Sequence, residues 1–223
     1  MQQLLRTWGL TLAILFSILN QIEAAHLVGG SITYECLGNN VYEIRMRVYR
    51  DCGSGGAPFD QQSNIAIYDL AGNLVQQLSV TKGPTISVPS NSTGNPCLTP
   101  PPGLCTEYAD YIDTASLPPI LGGYTITHQR CCRNASIANV ANSNTYGNTY
   151  TINIPSMDTT CNSSPRFLSA APIVICVNDP LNVQIEASES DGDSIHFEFC
   201  EILAGGGQGG GVVVKAVVPN PPF

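Results

Sequence analysis

From Ala25 to Cys52 the chain alternates in polarity. Ile32, Tyr34 and Cys36 share one parity, with Ser31, Thr33 and Glu35 on the other. Tyr42, Ile44, Met46 and Val48 then alternate with Glu43, Arg45, Arg47 and Tyr49. A period of two predicts half-buried strands, because a helix would scatter those apolar groups around its circumference. Gly38, Asn39 and Asn40 between the runs tolerate the positive φ of a tight hairpin. This hairpin, with a cysteine near the end of each strand, is the predicted founding element of a β-sandwich.

The same pattern recurs downstream. Strands are predicted at 64–69 and 74–80, joined by a turn at Ala71, Gly72 and Asn73, with a short strand at 85–88. A Pro-rich loop at 89–103 holds Cys97, and its prolines exclude central-strand pairing. Alternation resumes at 104–112, 124–130 and 149–154. Residues 155–165 read as a linker, after which strands are predicted at 172–177, 181–187, 194–202 and 211–218. No long helical periodicity appears beyond the amino terminus. The predicted fold is all-β, built of disulfide-stapled, immunoglobulin-like β-sandwich modules. One module spans 25–158, and a second, incomplete cadherin- or immunoglobulin-like module spans 159–223.

Charge narrows the function classes. Charged residues make up only 12% of the chain, about half the roughly 25% usual for soluble domains. The net charge is −8, and lysine occurs only at Lys82 and Lys215. Without a basic stripe, nucleic acid is excluded as the expected partner. Residues 1–24 read as a signal peptide: Arg6, an apolar core from Trp8 to Leu19, then Ala24 and Ala25. Nothing later reaches transmembrane length, so no membrane anchor is expected in the mature chain. Nine cysteines suit an oxidising, extracellular compartment. Their odd number leaves at least one thiol free or bonded outside the chain.

HLVGGSITYECLGNNVYEIRMRVYRDC at 26–52, IAIYDLAGNL at 65–74 and GGYTITHQRCCRN at 122–134 carry a resemblance. So do Phe59–Asp60, NSSPRF at 162–167 and SDGDSIHFEFC at 190–200. Together they resemble the amino-terminal region of large secreted Bacteroidetes surface proteins, of the gliding-motility-associated or type IX secretion sorting-domain family. The resemblance covers most of the mature chain and implies an extracellular, multi-module, non-catalytic protein. It implies no particular ligand. Members of that family continue past this length, so the chain is expected to be a piece of a longer protein or an unusually short member.

Several residues could carry chemistry. Asp191 and Asp193 flank Gly192, with Glu186 and Glu189 upstream. Such oxygens suit Ca²⁺, and the stretch resembles the DxDGD signature of cadherin-like modules, with Glu189 where Asp is usual. An Asp-Gly hairpin turn explains the same residues. The disulfide candidates are Cys36, Cys52, Cys97, Cys105, Cys131, Cys132, Cys176 and Cys200. Cys97 with Cys105 would clip the Pro-rich loop, and Cys176 with Cys200 would tie the second module. Cys131 and Cys132 are expected to face opposite ways and take separate partners, the alternative being a vicinal redox pair.

Enzyme signatures are sparse. There is no GxSxG elbow, phosphate loop or HExxH, and no paired CxxC spacing for zinc. His26 at a processed amino terminus could chelate copper only with His128 or His196 beside it. Asp110 and Asp113 could act as a carboxylate pair. Tyr49, Tyr68, Tyr108 and Tyr111 could form a sugar platform or pack across strands. The expectation is a secreted, non-catalytic cell-surface structural or adhesion protein whose partner is an extracellular polymer or protein. The alternative is a carbohydrate-binding or accessory module of an extracellular polysaccharide system.

Overall fold

A computed structural model describes residues 27–53, 57–89, 102–134, 137, 139–156, 161–168, 180, 182–205 and 215–216. Residues 1–26, the predicted signal peptide and His26 among them, lie outside these. The described chain is all-β and disulfide-stapled, its only helix a single 3₁₀ turn at Ser143–Thr145.

Seven strands form one antiparallel sheet: β1 (Leu27–Gly38), β2 (Val41–Asp51), β3 (Gln62–Asp69), β4 (Leu74–Ser87), β5 (Thr106–Ser116), β6 (Tyr124–Arg130) and β7 (Asn148–Ile154). Their order is β1-β2-β5-β4-β3-β6-β7. The founding hairpin forms as the alternation predicts, with Tyr34 opposite Ile44 and Ile32 opposite Met46. Gly38, Asn39 and Asn40 all take positive φ in its turn. That geometry explains why Gly and Asn stand there.

β4 joins the two halves of the sheet. The predicted strands at 74–80 and 85–88 are one strand of 14 residues, whose first part pairs with β3 and whose last part pairs with β5. The switch falls at a register shift between Lys82 and Thr85, opposite Asp110. A Cβ at Gly83 would stand 3.0 Å from the Asp110 carbonyl oxygen. A bulge bends a strand and increases its twist. Pro84 is tolerated inside a strand because the bulge takes it out of the ladder.

The bend folds the sheet over on itself, so Ile44, Met46 and Tyr111 of one half share a core with Ile65, Ile67 and Ile126 of the other. Ile44, Met46, Ile65, Ile67 and Ile126 are fully buried, each worth about 1.5–3 kcal/mol against exposure. The two outer strands, β1 and β7, approach each other without pairing in a ladder among the described residues. A Cβ at Gly30 of β1 would lie 2.8 Å from the Tyr150 ring of β7, so only glycine permits this near-closure.

Beyond β7 the described chain holds two short two-stranded ladders. β8 (Arg166–Phe167) pairs with β9 (Ala187–Ser188), and β10 (Leu203–Ala204) with β11 (Lys215–Ala216). The strand predicted at 172–177 lies outside the described residues; 182–186 and 194–202 carry no strand, β9 starting only at Ala187 and β10 only at Leu203. The predicted linker is not free at its far end. Cys161 is bonded to Cys36, and Ser163 and Ser164 hydrogen-bond β1. Those residues cover a sheet edge that would otherwise present unpaired backbone groups.

Candidate functional site

Antiparallel pairing of β3 with β6 brings Ser63, Asn64, His128 and Arg130 to one end of the core, beside Asp60. Arg130 grips Asp60 through Nε at 2.7 Å and Nη2 at 2.9 Å. The Tyr111 hydroxyl donates to the Asp60 carbonyl at 2.6 Å. His128 is buried and stacks on Tyr150, ring centroids 6.3 Å apart. Burial lowers its pKa from the ordinary value, against the hydrogen bond to Asn64 that favours the charged form. Burial also pushes the Tyr150 hydroxyl up to about 12.

Ser63, His128 and Asp60 have the residue types of a nucleophile, a base and an orienting acid. Their geometry assigns other work. His128 Nδ1 lies 2.8 Å from the Asn64 carbonyl oxygen, which can only accept, so Nδ1 carries the proton. The Ser63 hydroxyl, 3.4 Å from that same nitrogen, finds no lone pair there to take its proton. Asp60 is engaged by Arg130.

The predicted carboxylate loop is organised around Glu189. Its carboxylate accepts the backbone N–H groups of Asp191, Gly192 and Asp193 at 2.6–3.0 Å. The Asp191 N–H bond, with those of its neighbours, holds the Glu189 carboxyl below its ordinary pKa. Asp191 in turn accepts from the Ser163 N–H, and Asp193 from the Asn162 side-chain amide at 3.1 Å. Glu186 accepts from Gln184. The loop thus braces the segment that covers β1, and Gly192 supplies its positive φ. Among the described residues no three His, Cys, Asp or Glu side chains group as metal ligands do.

The cysteines correct three expectations. Cys105 bonds Cys52 and not Cys97, because Asp51 pairs with Thr106 and sets the two cysteines side by side, Cα atoms 4.9 Å apart. Cys97 and Cys176 lie outside the described residues. Cys131 and Cys132 bond each other; β6 ends at Arg130, so strand alternation no longer holds them apart. Cys200 is exposed and free. Cys161, absent from the predicted candidates, takes Cys36 across a sequence separation of 125. The ninth cysteine was its only signal.

The other candidates separate. Asp110 is clasped by Arg47 through Nε at 2.7 Å and Nη2 at 2.8 Å, with Arg45 at 3.1 Å. Burial would raise its pKa, but Arg47 and Arg45 outweigh that and hold it below the usual carboxylate range. Asp113 instead accepts from the Thr114 N–H, and its odd position places it on the opposite face of β5. Tyr111 is in the core. Tyr49 and Tyr108 pack across β2 and β5 at 5.6 Å, with the Arg47 guanidinium 4.1 Å over the Tyr108 ring. That cation covers the ring face a sugar would need. Tyr68 stands apart, on the outer side of β3. His196 is exposed beside Glu198, at 3.9 Å.

An open apolar cleft of about 530 Å³ lies between the β3–β4 and β5–β6 loops, lined by Leu70, Ala71, Ile120 and Leu121. Its one titratable neighbour, Asp69, is turned onto Asn73 at 2.8 Å. Among the described residues no helix is long and apolar enough to cross a membrane. No known protein family, curated protein or solved structure matches this chain.

Proposed function

We propose that this chain is an immunoglobulin-like, non-catalytic structural or adhesion module of a secreted cell-surface protein. One observation carries the reading: the base and the carboxylates that would serve catalysis are held in contacts of the fold. His128 donates to Asn64, Asp60 holds Arg130, and Asp110 holds two arginines. Catalysis by such groups requires a free lone pair or an open site beside the nucleophile.

The immunoglobulin-like assignment has two supports. The order β1-β2-β5-β4-β3-β6-β7 corresponds to strands A-B-E-D-C-F-G, with β4 in the place of D and passing from the C-F-G side to the A-B-E side. Tyr124, the first residue of β6, donates its hydroxyl to the Pro118 carbonyl six residues upstream. That contact matches the tyrosine corner of the sixth strand in such sandwiches. The disulfides and the amino-terminal apolar segment support export.

Labelling of intact cells with an antibody to the sandwich, combined with attachment assays on a deletion strain, tests this function. Surface labelling and weakened attachment are expected. A cytoplasmic protein with reduced cysteines, or turnover of any substrate by the purified chain, would sink the reading.

A further inference from the structure

The two outer faces of the folded sheet differ in charge. On the side of β1, β2 and β5, Glu43, Arg45, Arg47 and Asp110 stand outward and pair with one another. On the side of β4, β3, β6 and β7, the register sets Tyr68 beside Leu74 and Thr125, and Thr125 beside Asn153. The next row is Gln77, Ala66, Thr127 and Thr151, and beyond it Asn64 faces Ser79. No charged side chain stands in these rows, although the chain carries a net charge of −8. Among the described residues, Gly205 lies against Thr149 and Gln129 at the Asn64 end of this face, where a side chain on it would strike both.

The polar groups of this face are already oriented. Thr125 Oγ1 donates to Asn153 Oδ1 at 2.9 Å, so the Asn153 amide nitrogen is the donor end of that side chain. Thr127 and Thr151 donate to the backbone carbonyls of Tyr150 and Ile126 at 3.3 and 3.2 Å. Their oxygens are left as acceptors. Fixed, alternating donors and acceptors match the hydroxyl groups of a sugar chain, and Tyr68 adds one ring at the edge. A protein partner would instead be met by an apolar, aromatic-rich centre, and the centre here is Ala66 among threonines.

We propose that the uncharged face of β4, β3, β6 and β7 is a docking surface for a neutral polysaccharide. This rests on the surface-module reading and names its ligand. An uncharged contact is insensitive to ionic screening, which separates it from attraction by the arginines of the opposite face.

The test is retention of the full mature chain on insoluble cellulose, chitin and β-1,3-glucan, with alginate as an anionic control, at low and high salt. Retention on at least one neutral polymer, unchanged by salt, is expected. Tyr68→Ala should weaken it up to about tenfold, the size of one lost aromatic contact. Gln77→Lys with Thr151→Lys, both exposed positions, should abolish it, while Ile112→Lys on the opposite face leaves it intact. Each variant is checked by its melting curve, and Gln77→Lys alone serves if the pair fails to fold. No retention on any neutral polymer would overturn the proposal, as would indifference to Gln77→Lys or equal loss in Ile112→Lys. If the deletion strain still attaches poorly while purified protein ignores these polymers, the face assignment fails and the surface-module reading stands. Cleavage of the polymer would remove that reading instead.

Discussion

Ser164 brackets Tyr34 from both sides, 130 residues away in sequence: its hydroxyl accepts the Tyr34 N–H at 2.9 Å, and its N–H donates to the Tyr34 carbonyl at 2.9 Å. The same stretch bonds Cys36 through Cys161. The edge of β1 at Tyr34–Cys36 is therefore closed by covalent and hydrogen-bonded contacts from residues 161–164. Cys161→Ser should cost about 2–5 kcal/mol, the usual loss for a native disulfide closing a long loop. Denaturant melts measure it, and peptide mapping without reductant should recover 36–161 and 52–105 as linked pairs. Recovery of 97–105 instead would refute the assignment.

Tyr124→Phe keeps the ring in the core and deletes only the hydroxyl that donates to Pro118. The Pro118 carbonyl then loses its partner, at a cost of about 1–3 kcal/mol if no water replaces it. An unchanged melting curve would show that the corner contributes nothing to stability.

His128 makes stability depend on pH. Its folded pKa is lowered by burial, so the unfolded chain binds the proton first as pH falls below about 6.5. Stability from this group is complete above that pH and declines below it, until the folded pKa is passed. His128→Gln should flatten the stability profile below about pH 6.5. A profile equally steep in the variant would place the transition elsewhere.

Asp110 acts lower on the scale. Its folded pKa is depressed by Arg47 and Arg45 despite burial. The unfolded carboxyl protonates near 3.9, so the ion pairs stabilise fully above that pH and are lost as acid protonates the folded group. Asp110→Asn should destabilise at neutral pH and remove the part of the acid sensitivity that lies below about pH 4. If wild type and variant melt alike at neutral pH, the pairs are without net effect.

Glu189→Gln tests the carboxylate loop without metal. Amide exchange at Asp191, Gly192 and Asp193 should quicken in the variant with chelator present, because their acceptor loses its charge. Protection that appears only with added Ca²⁺ would return the loop to the calcium reading.

Strand existence was legible because period-two alternation is local, and β2, β3 and β6 fall where their apolar residues place them. The hairpin turn was legible for the same reason: Asn39 and Asn40 carry their own tolerance of positive φ. The continuity of β4 was not. Pro84 breaks a strand by any local rule, and only the bulge opposite Asp110 lets the chain pass through it.

The same division governs the candidate sites. The sequence by itself determined an all-β chain rich in cysteine, with carboxylates gathered on one loop and little charge elsewhere. Only the tertiary structure decided which cysteines meet, because Cys36 and Cys161 are neighbours through the covering of β1 and through nothing in their spacing. It also decided that Asp110 belongs to two arginines, that Glu189 belongs to its own backbone, and that one face of the sheet is free of charge. Parity says which residues of one strand share a face. Which strands lie side by side is set by the bend in β4 and the common core it closes, and those depend on contacts between residues far apart in the chain.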